Sequence, residues 1–226
     1  MTARRILIAT RSTHKLRELR ELLGPIDIEL VSLDDLGIAD EVAETGATFE
    51  ANARLKARAY VRLAGLPTIA DDSGIEVDGL GGGPGVRSKR YAGERATDAE
   101  NNAKLLAALD GLPADRRGAR YVCVLVLALP AVVGASPTAG FARGATTLIA
   151  TRGTCRGRIA TVARGNGGFG YDPIFEPAGE PVGGRTLGLY SAAEKHAISH
   201  RAKAARRMAR RLPELGFADA AERGAA

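Results

Sequence analysis

Apolar positions along this chain follow two periods. RRILIAT, residues 4–10, is a β-rich run that leads into Leu16, Leu19, Leu22 and Leu23, whose spacing places them on one helical face. Gly24 and Pro25 stop that helix, so the opening predicts strand, loop and helix, with Thr10 to Lys15 as the loop and first turn. DIELVSL, residues 27–33, predicts a second strand, and residues 48–64 predict a long helix ended by Gly65-Leu66-Pro67. Two short strands, 68–71 and 74–77, are expected on either side of an Asp71-Asp72-Ser73 turn.

Further on, Thr97-Asp98-Ala99-Glu100 is a capping-box pattern and places a helix over 98–110. The longest β-type runs follow at 119–129, about 138–151 and 156–163, spaced like an antiparallel set. Ser191 to Glu194 is another capping-box pattern, and residues 200–212 form a basic helix with Ala202, Ala205, Met208 and Leu212 on its apolar side. Helices and strands alternate along the whole length without a low-complexity linker or repeat, which argues an α/β domain with a mixed sheet. The domain is expected over 1–215, with 216–226 as a flexible tail.

Length and composition narrow this picture without changing it. The 226 residues can bury a substantial core as one generous domain or two small lobes, and 45% hydrophobic with 26% charged residues is ordinary for a globular protein. No apolar run reaches the roughly 18 residues of a membrane span, and the N-terminus lacks the features of a signal peptide, so a cytoplasmic protein is expected. Cys123 and Cys155 cannot make a zinc site alone, and Cys123, inside YVCVLVLAL, suits a core position. The 32 Lys+Arg against 26 Asp+Glu, a net charge of +6, favours anionic partners without choosing among nucleotides, nucleic acids and acidic surfaces.

Several motif readings fail on context. Gly165 to Gly170 matches G-x-G-x-x-G, but Tyr171-Asp172-Pro173 follows where a dinucleotide fingerprint needs a helix. There is no Gly-Lys for a phosphate-binding P-loop, no H-E-x-x-H and no G-x-S-x-G, and His14, His196 and His200 do not form a metal-binding set.

Five stretches can carry chemistry. Adjacent strand residues point to opposite faces, so Asp71 and Asp72 have two separate roles available, as a Mg²⁺ ligand and as a proton acceptor for an attacking water. The glycines over 79–85 either let backbone approach a phosphate chain or simply make a turn. Thr10, Ser12 and Lys15 at the start of the first helix suit an anion, and Lys15 equally suits a solvated helix face. Glu44 precedes the long helix and Lys56 lies within it, again with a surface alternative. In GNGGFGYDPIF, residues 165–175, Phe169 between glycines can stack on a base with Asp172 beside it, or it can be a core residue at a turn. Lys195, His200 and Arg201 bring donors that could read the 6-oxo group of a purine, or cap and solvate a helix end.

The segments IATRSTHK, ETGATFEANARLKA, ADDSGIEVDGLGGGPGVRSKRYAG, GGFGYDP and EKHAISHR resemble, in order and spacing, the signatures of the inosine triphosphate and XTP/dITP pyrophosphatases, across residues 4–212. The resemblance implies an elongated α/β fold with a central mixed sheet, two lobes and a deep nucleotide-binding cleft. It also implies a homodimer, and Mg²⁺-dependent hydrolysis of non-standard purine nucleoside triphosphates to monophosphate and pyrophosphate. Carried over by position, Asp72 matches the proton acceptor and a magnesium ligand, Glu44 the second metal-associated acid, and Lys56 a catalytic lysine. The phosphate-binding turn corresponds to Thr10, Arg11, Ser12, Thr13, His14 and Lys15, and Ser73 to a substrate contact. Phe169, Gly170, Tyr171 and Asp172 match the base-stacking segment, and Lys195, His200 and Arg201 the base-reading end. Ser12 stands where relatives usually have Asn, and Leu189 where an acid is frequent.

Two rival readings remain at this level. A Maf-like pyrophosphatase acting on pyrimidine nucleotides is argued against by GGFGYDP and SHR. A nucleic-acid-binding module would use Arg206, Arg207, Arg210 and Arg211, but their helix has an apolar opposite face and little aromatic interleaving. Neither nucleic acid nor membrane is therefore expected as a partner.

Overall fold

A computed structural model describes residues 4–24, 28–131 and 146–217. Its strands are β1 (Arg5–Ala9), β2 (Glu29–Ser32), β3 (Thr68–Val77), β4 (Gly118–Leu129), β5 (Thr147–Ile159) and β6 (Phe175–Pro177). They form one six-stranded sheet in the order β2-β1-β3-β4-β5-β6. β1 runs parallel to both β2 and β3, whereas β5 and β6 are antiparallel, so the sheet is mixed as expected. The helices are α1 (Thr13–Leu23), α2 (Phe49–Ala64), α3 (Asp98–Ala108), α4 (Ala192–Ile198) and α5 (His200–Arg211).

The described residues fall into two compact units. One comprises the chain up to Asp72, the stretch from Val124 to Arg152 and the chain from Ala204; the other comprises Ser73–Cys123 and Gly153–Lys203. In the first, Ile6, Leu7 and Ile8 of β1 are fully buried, as parallel strands with both faces covered must be. α1 contributes Leu19 and Leu23 to this core, α2 contributes Ala53, Ala57 and Val61, and α5 contributes Ala205 and Met208. In the second unit, Ile75, Val77, Tyr121, Cys155, Ile159 and Phe175 pack with Leu105 of α3 and with Leu109 just after it.

Local signals explain the helix boundaries. Ser12 caps α1 and Thr48 caps α2, while Gly65 ends α2 in the left-handed conformation. Both expected capping boxes form, Thr97 with Glu100 on α3 and Ser191 with Glu194 on α4. The glycine run beyond β3 takes its turn role: Gly81, Gly82 and Gly85 have positive φ, and the Val77 N–H donates to Gly83 O at 3.0 Å as the chain folds back.

Other expectations need correction. The two short strands flanking the aspartates are one ten-residue strand, β3, which runs through Asp71, Asp72 and Ser73 without a break. Each of these polar side chains finds a partner, so the strand can continue with Asp71 and Asp72 buried and Ser73 half-buried. The runs at 138–151 and 156–163 likewise merge, because β5 is continuous over 147–159; residues 138–145 lie outside the described residues. β6, only three residues long, had no periodicity to announce it. The tail was expected from residue 216, yet Phe217 is buried and its N–H donates to Leu212 O, because the aromatic ring leaves water; residues 218–226 lie outside the described residues. Cys123 and Cys155 are buried, and neither forms a disulfide. No described helix is long and apolar enough to cross a membrane.

Candidate active site

Within the first unit, β3 delivers two carboxylates to two helices. Lys15 of α1 pairs with Asp71 at 3.0 Å, and Lys56 of α2 approaches Asp72 at 3.8 Å. The alternation of a strand sends the adjacent aspartates to these different partners. Lys56 Nζ also donates to Glu44 Oε1 at 2.5 Å, so Glu44 and Asp72 converge on one ammonium group. Asn52, fully buried one turn before Lys56, donates from Nδ2 to Asp72 Oδ2 at 3.1 Å and accepts from the Gly46 N–H at 2.7 Å. The same side chain therefore holds the catalytic candidate and the loop that carries Glu44.

Burial raises the Asp72 carboxyl to about 6, with Lys56 and Lys15 opposing the rise. For Lys56, burial pulls the ammonium downward, but Asp71, Asp72 and Glu44 outweigh it and hold the group above its ordinary value. A carboxylate with a pKa near neutrality beside two cations is suited to accept a proton. Among the described residues, no group of three or more His, Cys, Asp or Glu side chains is arranged to hold a metal. The paired oxygens of Glu44 and Asp72 do fit Mg²⁺, which binds through one or two carboxylates and completes its shell with water and substrate phosphate oxygens.

The turn before α1 is organised by its hydroxyls. Thr10 Oγ1 accepts from the Ser12 N–H at 3.2 Å, and Ser12 Oγ accepts from the Lys15 N–H at 3.4 Å. Thr13 and His14 are exposed in the first turn of α1. Arg11 departs from the group: its guanidinium binds Asp34 at 2.9 Å and donates to the carbonyls of Ile38 and Asp40. It thus fastens the segment leading toward Glu44, and the Tyr60 hydroxyl donates to the same Asp40 carbonyl at 2.9 Å.

The second unit assembles a different cluster around Phe169. Lys195 Nζ lies 4.5 Å from the ring centroid and the Arg201 guanidinium 5.5 Å, both over the ring. Asp172 Oδ2 accepts from Lys195 Nζ at 2.7 Å and from the Phe169 N–H at 2.9 Å, and Arg201 donates to Ser73 Oγ at 2.9 Å. Gly168 has φ +72°, and a Cβ there would come within 2.0 Å of Asp172 Oδ2, so only glycine lets the carboxylate fold back under the loop. His200 is buried and stacks on Tyr121 with centroids 4.6 Å apart, while Tyr121 donates to Asp172 Oδ1 at 3.2 Å. Burial and then Asp172 raise the Tyr121 hydroxyl well above its ordinary value, so it stays a donor. Tyr171 turns into the core and donates to Ser88 O at 2.7 Å.

Apart from residues such as Arg11, the expected site residues therefore separate into one cluster of lysines and carboxylates and another of ring, cations and acid. Sequence reasoning missed Asn52 and Tyr121. Asn52 had a signal, since it falls on the apolar stripe of α2 with Phe49, Ala53 and Tyr60.

The sequence profile of the Ham1 family matches residues 6–211. A dITP/XTP pyrophosphatase from Geobacillus kaustophilus is 46% identical over 210 residues, covering 93% of this chain and 95% of that protein. Another protein of that name, from an Anaeromyxobacter species, is 45% identical over 239 residues, covering 93% and 97%. Among solved structures, the Staphylococcus aureus Ham1 protein superposes with a TM-score of 0.77 at 34% identity, covering 94% of this chain and 100% of that one. A nucleoside-triphosphatase / dITP/XTP pyrophosphatase from Mycobacterium abscessus gives 0.67 at 40% identity, covering 93% and 98%. With a profile matching nearly its whole length and relatives this similar, the chain belongs to the Ham1 family.

Proposed function

We propose that this protein hydrolyses non-standard purine nucleoside triphosphates, dITP, ITP and XTP, to the monophosphate and pyrophosphate, and so removes aberrant nucleotides from the precursor pool. The observation that carries this is Asp72: a buried carboxyl raised to about 6, held by Asn52 and flanked by Lys15 and Lys56. The names of the relatives support the same activity.

Lys15, Lys56 and the first-turn N–H groups of α1 bind the triphosphate, each offering a donor to an anionic oxygen. Asp72 takes a proton from water as the water oxygen bonds to the α-phosphorus. The bond to the bridging oxygen breaks, and pyrophosphate leaves with charge that the lysines stabilise. Glu44 and Asp72 would hold Mg²⁺, which when bound neutralises phosphate charge. Phe169 offers its face to the base, and Lys195 and Arg201 donate toward a 6-oxo group. Adenine has an amino group there and would leave those donors unpaired, a mismatch that can cost ~10⁴-fold in discrimination. The family resemblance further supports a homodimer acting in the cytoplasm, with no nucleic acid or membrane as partner.

The test is to incubate the protein with Mg²⁺ and, separately, dITP, XTP, dATP, dGTP and dTTP, and to quantify every phosphate product. Monophosphate plus pyrophosphate from dITP and XTP, abolished in Asp72→Asn, is expected. Diphosphate plus orthophosphate would move the attack to the γ-phosphorus. A preference for dTTP would sink the purine assignment.

A further inference from the structure

The Phe169 loop is held from outside the cluster of Phe169, Asp172, Lys195 and Arg201. Asp98, the first residue of α3, accepts from the Gly170 N–H through Oδ2 at 2.6 Å. Asn102, one turn later on the same helix face, donates from Nδ2 to the Gly170 carbonyl at 3.1 Å. Two side chains of one helix thus grip both polar groups of the residue that follows Phe169.

The cost of this arrangement argues that it does more than pack. Asn102 is 8% exposed, and its Oδ1 is buried with no hydrogen-bond partner among the described residues. An apolar residue would avoid that unmade bond if filling space were the only requirement. Gly170 sits at φ +64°, a backbone state in which its N–H and C=O have no regular ladder to join, so α3 supplies their partners.

We infer that Asp98 and Asn102 are positioning residues that set the pose of the Phe169 ring through the Gly170 peptide, and that this pose determines base selectivity. The selectivity part rests on the function proposed above; the pose part does not. Because Phe169's N–H is tied to Asp172 and its ring lies beneath Lys195 and Arg201, a shift of the Gly170 peptide moves the platform relative to the donors that read the base. The cluster of lysines and carboxylates belongs to other residues and keeps its own contacts.

Two measurements separate the parts. The chain contains no tryptophan, so Phe169→Trp places a single indole at the platform. Adding Asp98→Ala or Asn102→Ala should shift its emission to the red and lower its anisotropy, while Asp98→Asn, which retains an acceptor oxygen, should leave both unchanged. On the native Phe169 background, the two alanine variants should raise KM for dITP by about tenfold with kcat nearly constant, and lower the dITP-to-dATP ratio of kcat/KM by a similar factor. Asp98→Asn should restore the ratio to within about threefold. Unchanged emission in folded alanine variants overturns the pose, and an unchanged nucleotide ratio with only a lowered melting temperature overturns the role in selectivity. If the native protein turns over no purine triphosphate, the proposed function fails, and with it the selectivity role, while the indole emission still decides the pose.

Discussion

Asp72 concentrates the tension of this molecule in one carboxyl. Its folded-state value of about 6 lies above the ordinary 3.8, so the folded state binds this proton more tightly than the unfolded chain. The associated stability is fully present below 3.8 and is lost as pH rises through about 6. In metal-free buffer, melting temperatures followed from pH 4 to 8 should therefore show the native protein losing stability relative to Asp72→Asn, which has no charge to bury. A flat difference across that window would refute the burial argument. Lys56 is the complementary case. Its loss in Lys56→Met leaves Glu44 and Asp72 without their shared cation, at a cost of ~3 kcal/mol at pH 8. Denaturant titration should find a smaller cost at pH 5, where Asp72 carries its proton. Asn52, between Gly46 and Asp72, was legible in the sequence only as a polar residue on the apolar stripe of α2, which does not say what it binds.

Elements matter here through their ends and their loops. α2 carries both Asn52 and Lys56, and its first turn depends on Thr48, whose hydroxyl accepts from the Ala51 N–H at 3.1 Å. Thr48→Ala should cost about 1 kcal/mol, measured by denaturant unfolding, with activity lost only as far as α2 frays. Gly168→Ala is a harsher change, since it combines a positive φ with a Cβ that would strike Asp172. It should reduce kcat/KM for dITP by at least about a hundredfold through displacement of Phe169 and also lower the melting temperature, because the Cβ presses on buried Asp172 beside Tyr171, which packs in the core. Capping boxes, the αL glycine after α2 and the apolar faces of α1 and α5 were legible because each is a contiguous pattern set by backbone geometry. β6 was not, since three residues cannot show a period.

Taken whole, the chain joins its two compact units through strands they share. β3, β4, β5 and α5 each begin in one unit and end in the other, so the backbone passes between them four times without leaving regular structure. Disrupting either core should therefore register as a single loss of stability. Leu105→Ala in the second unit and Met208→Ala in the first should each cost ~2–5 kcal/mol, with fluorescence and far-UV circular dichroism giving coincident transitions. Separate transitions would show that the shared strands do not couple the units.

The sequence alone determined the α/β class, the strand–helix–strand start through β1, α1 and β2, the helix limits and the residue types of the site. All of these depend on neighbours a few positions apart, where backbone sterics and periodic burial act directly. It also carried the family resemblance, because ordered motifs survive as text. The tertiary structure decided what each polar residue does. It passed β3 straight through the aspartates by giving Asp71 and Asp72 separate lysines, assigned Arg11 to a loop, stacked His200 on Tyr121, and drew Asp98 and Asn102 to Gly170 across about seventy residues. The physical reason is that a buried polar group takes whichever partner the packed chain brings within about 3 Å, and sequence separation has no bearing on that distance.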